Sequence, residues 1–457
     1  MNDLPPCHAA ADLRRLTNAA LRAVAPDSAV LRHLHLKGDQ LTLLDETGNP
    51  VWHGDLNAFR RIRVLGAGKG AAPMAAALEN LLGERIHDGL VVVKYGHDLP
   101  EGERTRRIRI LEGAHPVPDA AGAEAASRIV DMAQTCGKDD LVLCVFTGGA
   151  SALTPALHPA IPLADMQRLT GLLLECGADI HEINALRKHL SRFSGGNLVR
   201  AASLAPVLGL IVSDVVGDDL DVIASGPTVP DSSTFADCLR VVERYSLRWK
   251  LPENIWAHLE SGLQGREAET PKADDPAFRG VHNVLVASVR QALDAAAEEA
   301  RACGFVPRIL TSTLCGEARS AAVELVRTAR RAQRELRPGD APLCLLAGGE
   351  TTVTIRGTGK GGRNQEMALA ATLELANDRG IDMVCVGTDG TDGPTDAAGG
   401  YAFSGDMARL RAMGLQPRAS LDANDSYPLL LRAGTLLKTG PTRTNVMDVA
   451  ILLVRPL

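Results

Sequence analysis

Short apolar runs recur along the chain, and each is followed by a turn rich in glycine and aspartate and then by a helical stretch. The segment RIRVLGAGKGAAPMAAALENLL predicts a strand, a tight turn and a helix, with Pro73 in the first helical turn. Runs of four to seven apolar residues without alternation are typical of strands that are covered on both faces. They predict parallel strands joined by helical crossovers.

The same pattern continues to the last residues. Further strands are predicted at GLVVVK, LVLCVF, LGLIV, NVLVA, LCLLAGG, MVCVG and VAILLV. Asp119 is placed to cap a helix that runs towards Gly137. Residues 261–280 are charged and broken by proline and glycine, which predicts a linker. We therefore expect two α/β domains, residues 1–270 and 281–457.

Composition narrows the class of protein. The chain has 457 residues, of which 45% are apolar and 23% charged. Its net charge is −6, and acidic and basic residues are interleaved along the whole length. No basic patch for nucleic acid or an anionic membrane is visible, so neither partner is expected. The nine cysteines form no C-x-x-C pair, and buried thiols in a reducing compartment are the simpler interpretation. With no export signal or membrane-spanning run, we expect a cytoplasmic protein.

Polar residues collect where the predicted strands end. In open parallel sheets, ligands bind beyond the carboxyl ends of the strands. Five turns in these places hold far more glycine than tight turns need, and glycine lets backbone N–H groups approach an anion. The turns lie at 66–70, 147–151, 213–228, 348–351 and 387–393.

The segment GTGKGGRNQEMAL is the clearest candidate for an anion site. A glycine-rich loop, 357–362, delivers Arg363 and Asn364 to the start of a predicted helix that continues to about residue 377. An arginine there is unfavourable beside the helix dipole unless an anion shares the site. Lys69 sits in a glycine turn that matches neither a Walker A loop nor the G-x-G-x-x-G dinucleotide fingerprint. By itself, this lysine could equally be a solvated surface charge.

The acidic residues of these turns indicate a hard cation. Carboxylates without cysteine or histidine beside them suit magnesium better than zinc. Two or three of them are expected to be ligands or bases, and the others turn-formers or caps. The six candidates are Asp214, Asp218, Asp219, Asp389, Asp392 and Asp396. Among the histidines only His189 stands out, and a packing role for it is as reasonable as a functional one.

Seven segments in the same order resemble the glycerate 2-kinases of the MOFRL type. They are GAGKGAAPMA, VFTGGASAL, INALRKHLSRFSGGNLVRAA, VSDVVGDDLDVIASGPTVPD, GGETTVTIRGTGKGGRNQEMAL, VGTDGTDGPTDAAGG and TGPTRTNVMDVAILL. The resemblance runs from about residue 10 to the C-terminus. It implies a Rossmann-like N-terminal domain, a smaller α/β C-terminal domain and a site in the cleft between them. It also implies transfer of the γ-phosphoryl group of ATP to the 2-hydroxyl of D-glycerate, with magnesium.

The resemblance also implies roles for particular residues. Lys69 and Arg363 look like the catalytic cations, and Asp214 and Asp389 like their acidic partners. One departure is visible, because Arg443 stands in TGPTRTN where the family pattern leads us to expect glycine. Because glycine adopts backbone conformations that arginine disfavours, the departure bears on the conformation of that loop.

These implications lead to a hypothesis for the site. Asp389 and Asp392 hold magnesium, Asp214 accepts the proton of the substrate hydroxyl, and Lys69 and Arg363 neutralise the moving phosphoryl group. Glycine turns supply N–H donors, and Arg187 is a candidate for the substrate carboxylate. The remaining predicted ligands of ATP or glycerate are Gly68, Gly148, Gly149, Ser151, Ser194, Gly195, Gly196, Glu350 and Asn364.

Two other functions stay open from the sequence. Relatives of this type have also been labelled hydroxypyruvate reductases, which would need a nicotinamide cofactor and a better dinucleotide fingerprint. A sensor of nucleotides or sugar phosphates would explain the anion turns but not the aspartates beside them. A homo-oligomer is also left open.

Overall fold

The computed structural model describes residues 8–202 and 204–457, and the chain divides into two compact units. Unit 1 comprises the residues up to Ala25, the segment Asp214–Gly217 and the segment Ala287–Leu457. Unit 2 comprises Pro26–Ser213 and Asp218–Val286. The domain boundaries 1–270 and 281–457 stay a prediction. The two units differ from them because residues 1–25 and 214–217 belong to unit 1.

Helices are distributed over both units. In the described residues they are α1 (His8–Ala23), α2 (Pro26–His33), α3 (Ala71–Leu82), α4 (Ala120–Gln134), α5 (Ala150–Leu153), α6 (Leu163–Glu175), α7 (Ile180–His189), α8 (Asn197–Ala201), α9 (Phe235–Arg244), α10 (Glu253–Leu263), α11 (Val289–Ala302), α12 (Ala318–Glu335), α13 (Arg363–Glu374), α14 (Asp406–Ala412), α15 (Pro417–Asp422) and α16 (Ser426–Ala433).

The strands form three sheets. In the described residues they are β1 (Leu34–Lys37), β2 (Gln40–Leu44), β3 (Pro50–Asp55), β4 (Arg61–Ala67), β5 (Ile86–Lys94), β6 (Ile108–Gly113), β7 (Asp140–Phe146), β8 (Val207–Val212), β9 (Val281–Ala287), β10 (Val306–Leu314), β11 (Leu343–Gly349), β12 (Ile381–Gly387), β13 (Gly399–Phe403), β14 (Leu436–Leu437) and β15 (Asp448–Val454).

The main sheet of unit 2 has the strand order β6-β5-β4-β7-β8-β9. The pairs β5–β6, β4–β5, β4–β7 and β7–β8 are all parallel. When its strands are numbered 1 to 6 in chain order, this sheet has the order 3-2-1-4-5-6 of doubly wound Rossmann folds. In such folds the strand order reverses between the first and fourth strands. The Rossmann-like prediction is confirmed, and β4 and β7 end at the switch point. A separate antiparallel sheet, β1-β2-β3, belongs to the same unit.

Close approach of β4 and β7 explains one glycine of the predicted strand. Gly66 pairs with Val145, and a Cβ atom at residue 66 would lie 2.1 Å from the carbonyl oxygen of Val145. Strand β7 is buried along its whole length, which accounts for its unbroken apolar run. The predicted strand, turn and helix at 61–82 are confirmed.

The sheet of unit 1 is mixed, with the order β10-β11-β15-β12-β13-β14. Only β10 and β11 form a parallel pair, and β15 lies antiparallel between β11 and β12. The prediction of parallel strands is therefore wrong for most of this sheet. Strands β11, β12 and β15 are fully buried, as the apolar runs indicated. An apolar run of this kind shows that both faces of the strand are buried. In this sheet helices cover the faces, and this covering does not require neighbouring strands to be parallel.

Residues 261–280 are not a linker. Helix α10 continues to Leu263, and Thr270 is buried and donates a hydrogen bond to Asp231 at 2.9 Å. The ring of Phe278 lies against Gly196, where an added Cβ atom would come within 2.7 Å of it. Proline and glycine in this segment shape a surface connection within unit 2.

The predicted cap of α4 and the predicted start of α13 are confirmed, whereas the predicted end of α4 is wrong. Asp119 caps α4 as predicted, because its side chain accepts from the N–H of Gly122 at 2.9 Å. The helix ends at Gln134 rather than at Gly137, whose N–H instead donates to the carboxylate of Asp140. Helix α13 starts at Arg363 as predicted and continues as a 3-10 turn to Asn377.

Most of the described cysteines lie in the interior, as their apolar surroundings in the sequence indicated. Cys7 lies outside the described residues. Five cysteines are buried, namely Cys136, Cys144, Cys238, Cys344 and Cys385, whereas Cys315 is exposed. None of the helices within 8–202 and 204–457 combines the length and the apolar character that crossing a bilayer requires.

Candidate functional site

Helix α13 begins at Arg363, whose guanidinium group is held by two carboxylates of unit 1. Its Nε and one terminal nitrogen donate to the two oxygens of Asp448, at 2.6 and 3.0 Å. The other terminal nitrogen donates to Glu350 at 2.7 Å. These contacts use three of the five N–H donors that a guanidinium carries. Arg363 is thus fixed in orientation and keeps donors for a further acceptor.

Asp392 caps the first turn of α13. Its Oδ1 accepts from the backbone N–H of Asn364 at 3.1 Å, and its Oδ2 from that of Gln365 at 2.8 Å. The side-chain amide of Gln365 donates to the same Oδ2 at 2.9 Å. Negative charge at this end of a helix is stabilised by the helix dipole. The predicted role of Asp392 as a metal ligand stays a prediction, and it would compete with this capping role.

Two of the carboxylates around Arg363, those of Asp448 and Asp392, are buried, and burial shifts their pKa values. Burial raises the pKa of Asp448 to about 6, although the nearby charge of Arg363 acts in the opposite direction. Burial likewise raises the pKa of Asp392. Burial alone would lower the pKa of Arg363, but the charge of Asp448 raises it overall. Arg363 therefore carries its charge at neutral pH, with Asp448 as its counter-ion.

The glycine-rich loop 357–362 packs against other parts of unit 1. A Cβ atom on Gly357 would lie 2.3 Å from the carbonyl oxygen of Ala423, and one on Gly362 would lie 2.3 Å from Cγ of Asp392. The side-chain oxygen of Asn424 accepts from two backbone N–H groups at the start of the loop, at 2.7 and 3.0 Å. Packing within the protein therefore requires these glycines, whereas the sequence suggested a ligand as the reason.

Asp389 lies in the turn after β12, which is fastened to the segment that precedes β15. Its Oδ1 accepts from the N–H and from the hydroxyl of Thr391, both at 2.9 Å. The hydroxyl of Thr388 donates to the carbonyl oxygen of Met447 at 2.6 Å. The half-buried carboxylate of Asp389 is therefore carried on a well-bonded turn.

A cavity of about 710 Å³ opens at the start of α13 within unit 1. Two buried hydroxyls in its wall, those of Thr351 and Ser426, have no hydrogen-bond partner among the described residues. An unpaired buried hydroxyl is costly, so a polar ligand that pairs with them is favoured. Four predicted site residues share this wall, namely Glu350, Arg363, Asp389 and Asp392.

In unit 2, the turn after β4 lies against the turn after β7. The N–H of Lys69 donates to the carbonyl oxygen of Gly148, and the N–H of Gly70 to the hydroxyl of Thr147, both at 2.9 Å. Gly68 has φ +129°, and a Cβ atom there would lie 2.2 Å from the hydroxyl oxygen of Thr147. The neighbouring turn therefore demands glycine at residue 68.

His115 lies beside these two turns. A Cβ atom on Gly149 would be 3.0 Å from Cδ2 of His115 and 3.6 Å from Cγ of Lys69, so this glycine leaves room for both side chains. Burial lowers the pKa of His115 to about 4, and the charge of Lys69 acts in the same direction. His115 is therefore a neutral group next to a lysine.

Ser151 belongs to a chain of polar side chains that ends on helix α7. Its hydroxyl lies 2.8 Å from that of Ser225, which donates to the side-chain oxygen of Asn184 at 3.1 Å. Arg187 follows Asn184 by three residues in α7 and lies on the same face of the helix.

Arg187 is the least compensated cation of this group. It is half-buried, and neither an ion pair nor a hydrogen bond joins it to any of the described residues. Burial lowers the pKa of its guanidinium group. A charge removed from water without a partner is costly. The position therefore favours an anionic ligand.

The segment 194–196 is bonded to the protein itself. The N–H of Gly195 donates to the carbonyl oxygen of Ser225, and that of Gly196 to Gly226, both at 2.8 Å. Ser194 is buried and lies in the same turn. The role of these N–H groups as donors to a ligand stays a prediction that the geometry does not favour.

His189 has both ring nitrogens engaged within unit 2. Nδ1 lies 2.7 Å from the carbonyl oxygen of Ala185, and Nε2 lies 2.6 Å from the carboxylate of Glu269. Of the two roles left open from the sequence, packing explains this buried histidine.

The predicted residues thus fall into two groups. Unit 1 brings together Glu350, Arg363, Asn364, Asp389 and Asp392, and unit 2 carries Lys69, the turns at 148–151 and 194–196, and Arg187. Asp214 is half-buried in the segment that follows β8. A single cleft that combines both groups stays a prediction.

Several residues of these groups were missed from the sequence. Asp448 gave a signal, because a carboxylate at the start of the apolar run DVAILLV must find a partner. Ser225 and Thr351 lie in turns that the sequence had singled out, but no role was predicted for them. The remaining residues are ordinary polar groups whose role appears only in the fold, namely His115, Asn184 and Ser426.

Comparison with known proteins places the fold. The structure of a glycerate kinase from Thermotoga maritima superposes with a TM-score of 0.85 at 37% identity, covering 98% of this chain and all of the other. A glycerate 2-kinase of Pyrococcus horikoshii is 40% identical over 96% of both chains. A D-glycerate 2-kinase of Thermotoga maritima is 41% identical over 86% of this chain and 91% of its own.

The fold is therefore that of the two-unit α/β kinases represented by these proteins. The family described as "Domain of unknown function (DUF4147)" matches residues 12–260, and the MOFRL family matches residues 343–448. The chain belongs to the glycerate kinase family. Two relatives from Agrobacterium vitis bear the name hydroxypyruvate reductase.

Arg443 has a backbone conformation that favours glycine, the residue that the family pattern leads us to expect at this position. Its φ angle is +59°, in the left-handed region where glycine is favoured and a side chain costs about 1–2 kcal/mol. The departure noted in the sequence thus leaves the loop in a glycine-like conformation. The strain is local to the segment that precedes β15.

Replacing Arg443 by glycine should therefore stabilise the protein. We expect Arg443→Gly to gain about 0.5–1 kcal/mol, because the lost strain exceeds the added backbone entropy of the unfolded chain. This corresponds to a rise of about 1–4 °C in Tm, measured by calorimetry. Arg443→Ala keeps the Cβ atom and serves as the control. A glycine variant that melts below the alanine variant would contradict the expectation.

Proposed function

We propose that the protein is an ATP- and magnesium-dependent glycerate 2-kinase that converts D-glycerate into 2-phospho-D-glycerate. The observation that carries the proposal is the 40% identity with a glycerate 2-kinase over 96% of both chains. The D-configuration of the substrate rests on the name of the second relative. The partners are then small molecules, and the predictions of a cytoplasmic location and of no nucleic-acid or membrane partner stand beside the proposal.

Arg363 is assigned to charge neutralisation. Phosphoryl transfer depends on positioning and on cancelling negative charge on the moving group. The fork of Arg363 is held by Asp448 and Glu350 and keeps donors for phosphoryl oxygens. Because its carboxylate partners fix it in advance, little reorganisation is needed when the transition state forms.

The wall of the unit 1 cavity has the donor chemistry that magnesium prefers. Oxygen ligands are available there, and magnesium commonly takes one or two carboxylates together with substrate phosphates and water. Asp389 is the first candidate, with Asp392 second because its oxygens already cap α13. When bound, magnesium would neutralise charge on the phosphates of ATP. The free hydroxyls of Thr351 and Ser426 would donate to the same ligand.

Lys69 and Asp214 receive the remaining chemical roles. Lys69 is proposed as the second cation on the phosphoryl group, on a turn at the switch point of the Rossmann sheet, where such folds bind ligands. Asp214 is proposed as the base that accepts the proton of the 2-hydroxyl. The turn at 148–149 supports the backbone of Lys69 through Gly148.

Arg187 is assigned to the carboxylate of glycerate. It is the half-buried arginine without a counter-charge, and a planar fork binds a carboxylate with two hydrogen bonds. The neighbouring hydroxyls of Ser151 and Ser225 suit the hydroxyl groups of the same substrate.

The reductase name found among the relatives gains no support from the residues. A nicotinamide enzyme of this fold carries G-x-G-x-x-G after its first strand, whereas residues 66–71 read GAGKGA. A sensor without catalysis does not account for the aspartates around Arg363. Both alternatives are outcomes of the test that follows.

Product analysis tests the proposed reaction. Phosphorus NMR of a mixture of protein, ATP, Mg²⁺ and D-glycerate should show ADP and a phosphomonoester coupled to the proton on carbon 2. A signal coupled to carbon 3 protons would contradict the regiochemistry. Oxidation of NADH by hydroxypyruvate without ADP formation would favour the reductase, and no turnover with either pair would favour the sensor.

Loss of the cation at residue 363 should reduce turnover far more than substrate affinity. We expect Arg363→Met to lower kcat by about 10³-fold, as loss of a transition-state cation does in other phosphotransferases. Arg363→Lys keeps the charge without the fork and should also lose most activity. The exposed Arg411→Met is the matched control. A folded Arg363→Met protein with normal kcat would refute the assigned role.

Loss of Arg187 should act mainly on the acceptor. We expect Arg187→Met to raise the KM for glycerate by about 100-fold, the value of a charge-assisted pair of hydrogen bonds, with the KM for ATP little changed. Steady-state kinetics with each substrate varied gives both constants. Arg168→Met, on the exposed side of α6, is the control. Equal increases in both KM values would place Arg187 elsewhere in the site.

A further inference from the structure

Unit 2 contains a second constellation of side chains that the kinase reaction does not use. His158 lies in the connection between α5 and α6, His258 lies in α10, and Glu267 lies shortly after that helix. One potential ligand atom from each lies within 4.8 Å of the other two. Among residues 8–202 and 204–457, this is the one such group of three histidine, cysteine or carboxylate side chains.

The spacing of the group fits a metal better than a hydrogen bond. Nε2 of His158 and Oε2 of Glu267 are 3.6 Å apart, beyond hydrogen-bonding distance. Two ligands at about 2.0–2.1 Å from a tetrahedral ion lie about 3.3–3.4 Å from each other. A shift of a few tenths of an ångström would therefore place both atoms on one ion. The rings of His158 and His258 also lie close, with centroids 4.5 Å apart.

A hydrogen bond orients the ring of His258 so that its other nitrogen can bind a metal. Nε2 of His258 lies 2.9 Å from the carbonyl oxygen of His189, which can only accept a hydrogen bond. This contact places the proton on Nε2 and leaves the lone pair on Nδ1. Hydrogen bonds of this kind orient histidine ligands in metalloproteins.

No strong hydrogen bond holds His158 in an arrangement that would prevent it from binding a metal. The N–H of Ala160 lies 3.4 Å from Nδ1 of His158, too far to hold one tautomer firmly. Both His158 and Glu267 keep about a third of their side-chain surface exposed, so an ion can reach them. A cavity of about 520 Å³ is lined by all three side chains and leaves room for water at a fourth position.

We propose that His158, His258 and Glu267 form a binding site for a divalent first-row transition metal, with Zn²⁺ as the preferred ion. Two imidazole nitrogens and one carboxylate with an open position are a donor set that zinc uses in other proteins. Magnesium prefers oxygen ligands, so the two imidazole donors disfavour it. The site is therefore separate in chemistry from the proposed magnesium site of unit 1.

The ion would join three parts of unit 2. Glu267 belongs to the segment beyond α10, whose next residues already contact the interior. Glu269 is bonded to His189, and Thr270 to Asp231. A metal at Glu267 would fasten the start of this segment to α10 and to the loop that carries His158. Binding to the folded state alone stabilises that state.

Zinc titration of the full-length, chelator-treated protein tests the proposal. Millimolar Mg²⁺ is kept present to occupy oxygen-only sites, and a chromophoric chelator competes for the zinc. We expect one equivalent of Zn²⁺ to bind. His158→Gln and Glu267→Gln should each weaken binding by at least about 100-fold, since even loss of groups that only support metal ligands costs 10–100-fold. Both changes are at half-exposed positions, which protects folding.

Two further measurements separate this site from incidental binding. His181→Gln, on the exposed surface of α7, should bind zinc like the unaltered protein. At a zinc concentration about 100-fold above Kd, the unaltered protein should melt at least about 5 °C higher, and the two ligand variants should not. Equal zinc affinity in all four proteins, or binding weaker than on the order of 10 µM in the unaltered protein, would overturn the proposal.

Discussion

The covering of the central strands on both faces is the constraint on which the rest of each unit depends. Strand β7 in unit 2 and strands β11 and β12 in unit 1 are buried along their whole length. An unpaired charge inside such a strand would be very costly. Groups that carry chemistry are therefore kept out of these strands and lie in turns, at strand ends or on helices. The same constraint brings turns into hydrogen-bonding contact with one another, as in the hydrogen bond from the N–H of Lys69 to the carbonyl oxygen of Gly148.

The start of helix α13 shows how a half-buried cation is made tolerable. Arg363 is paired with Asp448, and Asp392 compensates the positive end of the helix beside it. Neither acid could be removed without leaving charge or N–H groups unsatisfied. The arrangement holds a guanidinium fork in place before any ligand arrives, which is what a phosphoryl-transfer site requires. Arg187 in unit 2 is the opposite case, because none of the described residues supplies it with a counter-charge.

The candidate site could be predicted only where a residue type is unusual in its local setting. Arg363 after a run of glycines, Asp389 in a turn and Lys69 between glycines all stand out in the sequence. Thr351, Ser426 and Asn184 do not, because a hydroxyl or an amide is common anywhere on a surface. The group of His158, His258 and Glu267 was equally invisible, since its members share no motif. Only the packing of α10 against neighbouring loops brings them together.

The sequence by itself determined the α/β class, the positions of the apolar central strands and the family, because apolar runs and ordered motifs are local properties of the chain. It also located the cap at Asp119 and the start of α13. The tertiary structure decided strand direction in unit 1, the inclusion of residues 261–280 in unit 2 and the partners of Arg363. These features depend on contacts between residues distant in the chain, such as Asp448 with Arg363. No local pattern encodes such a contact, because its free energy arises only when folding removes both groups from water.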